Sequence, residues 1–104
     1  MINALKNLIG LGAAPDYKQL MKEGAVIIDV RTKSEFTSGH IEGSVNIPVD
    51  QLANRGQRLP KKEKTIITCC ASGMRSAAAK TMLQSYGYSS VYNGGSWSSL
   101  QRKL

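Results

Sequence analysis

Histidine occurs once in this chain and cysteine twice, and the two cysteines are neighbours at positions 69 and 70. His40, Cys69 and Cys70 cannot supply the four ligands of a structural zinc site, so none is expected. Adjacent residues in a strand point to opposite faces, which makes a Cys69–Cys70 disulfide geometrically poor. Free thiols suit a reducing compartment, and a cytoplasmic location is expected. No apolar run approaches the ~20 residues of a membrane-spanning helix, so no integral membrane segment is expected. Acidic residues are scarce: Asp and Glu total 7 against 14 Lys and Arg, a formal charge of +7. That excess suits anionic partners in general. The densest basic group is Arg55, Arg58, Lys61, Lys62 and Lys64. It has no interleaved aromatic for base stacking and reads as a solvated loop, so nucleic acid is not expected as a partner.

What is present is enough for one domain. The chain has 104 residues, 41% of them hydrophobic, and can bury a single core without staples. Residues 1–13 read as a helical N-terminal extension and 14–104 as the domain. In the extension Ile2, Leu5, Leu8 and Ile9 share one face, and Gly10 and Gly12 end the pattern. The short, glycine-broken apolar run and single late lysine argue against a signal peptide. Packing against the domain is the favoured reading.

Strand and helix patterns then alternate. Pro15-Asp16 opens a helix with Tyr17, Leu20 and Met21 inward, and Gly24 stops it. Residues 25–30 form a continuous apolar run with a polar residue near its end, suited to a strand covered on both faces. A short helix anchored by Phe36 follows, then a turn at 39–43 and an extended piece at 44–47. Asp50 caps a brief helix with Leu52 and Ala53 inward. Residues 65–69 are β-branched and apolar, the expected centre of the sheet. The clearest helix spans 76–86, with Ala78, Ala79, Met82, Leu83 and Tyr86 on one stripe. A strand at 90–92, a turn at 93–95 and a final helix carrying Trp97, Leu100 and Leu104 complete the chain. This order predicts an α/β fold on a mainly parallel sheet with helices on both faces.

The chemistry gathers between Cys69 and Ser76. A strand, a tight loop and a helix start follow one another there, with Cys70 at the bend. Unpaired helix N-terminal amides and the helix dipole make an anion site, and curled loop amides extend it. Sulfur at its centre is stabilised as thiolate. Gly73 lets the loop curl. Arg75 adds a fixed cationic fork. Cys69 faces the other way, into the core.

These residues also carry a resemblance. Asp29-Val30-Arg31, Glu35-Phe36, Gly39-His40-Ile41, Gly43-Ser44 and Asn46-Ile47-Pro48 closely resemble the signature of the rhodanese family. Cys70 through Ser76 resembles that family's active-site loop, and Val91 through Gly95 with Trp97 its C-terminal motif. The resemblance covers residues 14 to 101. It implies a three-layer α/β/α domain on a five-stranded parallel sheet of order 3-2-4-5-1. It implies sulfane sulfur transfer without a cofactor or metal. On this chain Cys70 is the implied nucleophile and persulfide carrier. The amides of Ala71, Ser72, Gly73, Met74 and Arg75 cradle the outer sulfur, and Arg75 closes the loop and helps bind an anionic donor. Asp29, Arg31, Glu35 and His40 are scaffold. The implied partners are a small anionic sulfur donor, thiosulfate or a persulfide, and a thiol or protein acceptor, with cyanide replacing it in an assay.

Two positions depart from the family pattern. Met74 stands where thiosulfate-using loops often carry a basic residue, and Gly12 to Ala14 is a thin candidate for the first strand. Two rival readings remain. One is a cysteine phosphatase or arsenate reductase, whose loops put five residues between cysteine and arginine where this chain has four. The other is a non-enzymatic persulfide carrier that docks to a partner.

Overall fold

A computed structural model describes residues 15–54 and 59–104. The first described element is helix α1, Tyr17–Lys22, whose N-cap Asp16 accepts a hydrogen bond from the Gln19 amide at 3.0 Å. Strand β1, Val26–Asp29, follows, and then helix α2, Lys33–Ser38. A reciprocal capping box opens α2: Thr32 Oγ1 accepts from the Glu35 amide, and Glu35 accepts from the Thr32 amide. Strand β2 is only Val45–Asn46, and a 3-10 helix covers Val49–Asn54. Strand β3, Ile66–Cys70, leads into helix α3, Met74–Ser85. Strand β4, Val91–Ser96, and helix α4, Trp97–Gln101, close the fold.

The four strands among the described residues are parallel in the order β2-β1-β3-β4. This fits the 3-2-4-5 part of the expected order 3-2-4-5-1. The expected first strand and the helical extension lie outside the described residues. β3 is central and all five of its residues are buried. Its side chains alternate between two cores. Ile66 and Cys70 join Ile28, Val30, Leu52, Ala79 and Leu83 on one face. Ile67 and Cys69 join Tyr17, Ile27 and Leu100 on the other. Both faces of the sheet are therefore covered, the condition for uninterrupted apolar strands such as β1 and β3.

Some elements differ from expectation. Ala53 and Ala78 are exposed. On α3 the inward positions are Ser76, Ala79 and Leu83, separated by three and four residues, so the stripe runs beside Ala78 rather than over it. Asn93-Gly94-Gly95 continues β4 instead of turning. Gly94 is needed there, because a Cβ would lie 2.8 Å from the Thr68 carbonyl oxygen and 2.9 Å from Leu100 Cδ2.

A buried ion pair braces the carboxyl edge of the sheet. Asp29 ends β1 with no exposure, and Arg31 is 4% exposed. Arg31 Nε and Nη2 donate to both Asp29 oxygens at 2.7–3.1 Å. The remaining donors reach the Gly39 and Glu35 carbonyls at 2.7 and 3.3 Å. The guanidinium lies over the Trp97 ring, 4.7 Å from its centroid. Two side chains thus tie β1, α2 and α4 together below the loop at the end of β3.

Candidate active site

Cys70 is the last residue of β3. The β3–β4 register shifts between Thr68 and Cys70, so the strand bends as it delivers this cysteine. Ala71 and Ser72 are exposed and turn the chain. Gly73 is the N-cap of α3 at φ 105°, a left-handed conformation that disfavours any side chain. The curl folds the start of α3 back over the sulfur. Cys70 Sγ accepts from the Gly73 amide at 2.9 Å and the Ser76 amide at 3.4 Å. The Ser72 amide also contributes.

The amides that reach Sγ are therefore those of Ser72, Gly73 and Ser76, and Ser76 lies one residue beyond the loop expected to cradle the outer sulfur. Ser76 is fully buried, and its Oγ lies 3.4 Å from Sγ, 2.6 Å from Asn93 Oδ1 and 3.0 Å from the Gly73 carbonyl oxygen. All three neighbours can accept, and the hydroxyl has one proton to give. With a thiol, S–H donates to Ser76 Oγ and the hydroxyl donates to Asn93. With a thiolate, the hydroxyl turns toward sulfur, and Asn93 Oδ1 keeps the Gly95 amide at 3.0 Å. Asn93 Nδ2 reaches the Gly73 carbonyl at 3.4 Å, tying β4 to the loop.

The electrostatics separate the two cysteines. Burial pushes the Cys70 thiol up, but the hydrogen bonds from Ser76 and the loop amides outweigh it, and the net shift is downward. Cys69 has burial first and the Asp29 charge second, both raising it, and is pushed up to about 12. Alkylation by iodoacetamide at neutral pH is thus expected at Cys70 and not at Cys69. Its rate rises with thiolate fraction, with a midpoint below that of an ordinary thiol. Ser76→Ala removes a stabilising donor, so the midpoint moves upward and the rate at pH 7 falls several-fold. An unchanged midpoint would show that the hydroxyl does not serve the sulfur.

Arg75 does not stand free. Its Nη1 and Nη2 donate to Glu35 Oε1 and Oε2 at 2.8 and 3.1 Å, a bidentate pair linking α3 to α2. The Arg75 hydrogen bonds, with the α2 capping bonds behind them, hold the Glu35 carboxyl down at about 2. His40 is exposed. Its Nδ1–H donates to the Phe36 carbonyl at 2.7 Å, and its ring stacks on Phe36 with centroids 3.7 Å apart. His40 therefore acts within the α2 turn, and among the described residues the hydrogen bonds to Cys70 Sγ come from Ser72, Gly73 and Ser76. Met74 is 80% exposed at the rim. Among the described residues, no cluster of three or more His, Cys, Asp or Glu is placed to hold a metal.

A buried cysteine thus ends the central parallel strand of an α/β fold, with loop and helix-start amides donating to its sulfur. The chain belongs to the rhodanese-like family, matching the rhodanese-like domain over residues 13–102. The thiosulfate sulfurtransferase PspE of Escherichia coli is 35% identical over 69 residues, covering 65% of this chain and 66% of that protein. The thiosulfate sulfurtransferase GlpE of Pseudomonas fluorescens is 31% identical over 80 residues, covering 76% and 72%. The solved structure of the human single-domain sulfurtransferase TSTD1 is 28% identical with a TM-score of 0.75, covering 89% of this chain and 99% of that one. The chain spans just under two thirds of PspE, at 66%, and about half of Bacillus subtilis YqhL, at 54%.

Proposed function

We propose that this protein is a sulfurtransferase that carries sulfane sulfur as a persulfide on Cys70. The observation that carries the reading is the set of amide and hydroxyl groups converging on Cys70 Sγ, led by the Gly73 amide at 2.9 Å. These groups favour the thiolate without a separate base. The Met74 and Arg75 amides belong to the first turn of α3 and have no intrahelical acceptor, which leaves them for the outer sulfur.

In the first half-reaction the Cys70 thiolate attacks the sulfane sulfur of thiosulfate or of a persulfide. The donor's S–S bond breaks, and sulfite or a thiolate leaves with the bonding pair. In the second, a thiol or protein acceptor attacks the outer sulfur and Cys70 leaves as thiolate. Cyanide takes the acceptor's place in an assay. A reducing compartment such as the cytoplasm keeps Cys70 free for this cycle.

Donor and acceptor react in turn, so initial rates with both varied are expected to give parallel double-reciprocal lines. Intersecting lines would mean that both substrates bind together and would contradict a covalent relay.

A further inference from the structure

We propose that Glu35, by holding Arg75, sets the donor preference of this site toward neutral or singly charged organic persulfides and away from the thiosulfate dianion. The inference rests on the sulfurtransferase reading above. Arg75 is the cation carried by the loop itself, and Glu35 takes both arms of its fork at 2.8 and 3.1 Å. The two side chains are about equally exposed, 36% and 37%, so the neutralised pair faces the solvent from which a donor arrives. Glu35 is held from behind by the Thr32 capping box, which fixes its carboxylate at the mouth.

An incoming dianion therefore meets no free guanidinium from the loop. It meets a carboxylate–guanidinium pair of no net charge beside the loop amides and the roughly half-charge of the α3 dipole. Double charge also makes the dianion costlier to strip of water than a persulfide. Beside the pair, Met74 presents an 80% exposed thioether side chain at the rim. That surface suits the carbon substituent of an organic persulfide and offers thiosulfate nothing. From such a donor, the Cys70 thiolate takes the outer sulfur, the S–S bond to the carbon-bound sulfur breaks, and R–S⁻ departs with the pair.

The test is Glu35→Gln. Glutamine keeps the side-chain acceptor of the capping box and removes the charge. Sulfur loading is measured with thiosulfate and with cysteine persulfide, which carries at most one net negative charge, for wild type, Glu35→Gln, and Glu35→Gln combined with Arg75→Met. The expected result is a rise of about tenfold in the thiosulfate-to-persulfide ratio of kcat/KM in Glu35→Gln, carried by the thiosulfate KM. The rise is expected to disappear in the double variant. An unchanged or lower ratio, a rise that survives loss of Arg75, or loss of loading from both donors in Glu35→Gln, overturns the inference. Failure of both donors to load wild-type protein overturns the sulfurtransferase reading itself, and this inference with it.

Discussion

Cys70→Ser is expected to abolish sulfur transfer, lowering turnover at least about a thousandfold, while Cys69→Ala keeps it within a few-fold. A serine oxygen at position 70 can still occupy the cradle but cannot carry sulfane sulfur through a disulfide-type exchange. Cys69 cannot substitute. It lies on the opposite face of β3 with no exposure, among Tyr17, Ile27 and Leu100. Its thiol is also pushed up to about 12, so it stays protonated wherever Cys70 reacts. Alanine is the better probe at 69, because it adds no polar group to that apolar core. Steady-state transfer from thiosulfate or glutathione persulfide to cyanide reads both variants. Appreciable turnover in Cys70→Ser would remove the thiol from the mechanism.

The second large effect is on stability. Arg31→Met is expected to destabilise the protein by about 3–5 kcal/mol, because it leaves the fully buried Asp29 carboxylate without its partner. For a domain this small that is a drop in Tm of roughly 20 °C. The loss also has a route to the site. Arg31 holds the Glu35 and Gly39 carbonyls, so its removal loosens α2, which carries the carboxylate paired with Arg75. Urea unfolding of Arg31→Met, Asp29→Asn and the double variant separates the terms. The double variant is expected to be more stable than Arg31→Met, since no unpaired charge remains. Equal stability of all three with wild type would show that the pair braces nothing.

The parts of this site legible in the sequence are those encoded by local chemistry. The apolar run into Cys70, Gly73 at a position that needs positive φ, and the helix start after it are neighbours in the chain. Their geometry follows from backbone rules. The opposite facing of Cys69 and Cys70 follows from the strand period alone. The Arg75–Glu35 pair was not legible as a contact, because 40 residues separate its members and only the parallel pairing of β1 with β3 brings α2 to the loop. Asn93 was hidden for the same reason. It reads as a turn residue, yet it lies in β4 and orders Ser76 from across the sheet. Ser76 left a weak signal: a hydroxyl in the first turn of a helix whose amides point at a cysteine. Alanine fits either side of a helix, so its type does not place Ala78, and the inward stripe there is set by Ser76, Ala79 and Leu83.

The most direct measurement is the mass of the protein after reaction with a sulfur donor and removal of the excess. Wild type is predicted to gain one sulfur atom, located by fragmentation on the peptide residue Cys70, and to lose it again on addition of cyanide. Protein that gains no sulfur from either thiosulfate or glutathione persulfide, or that carries it on Cys69, would contradict the account.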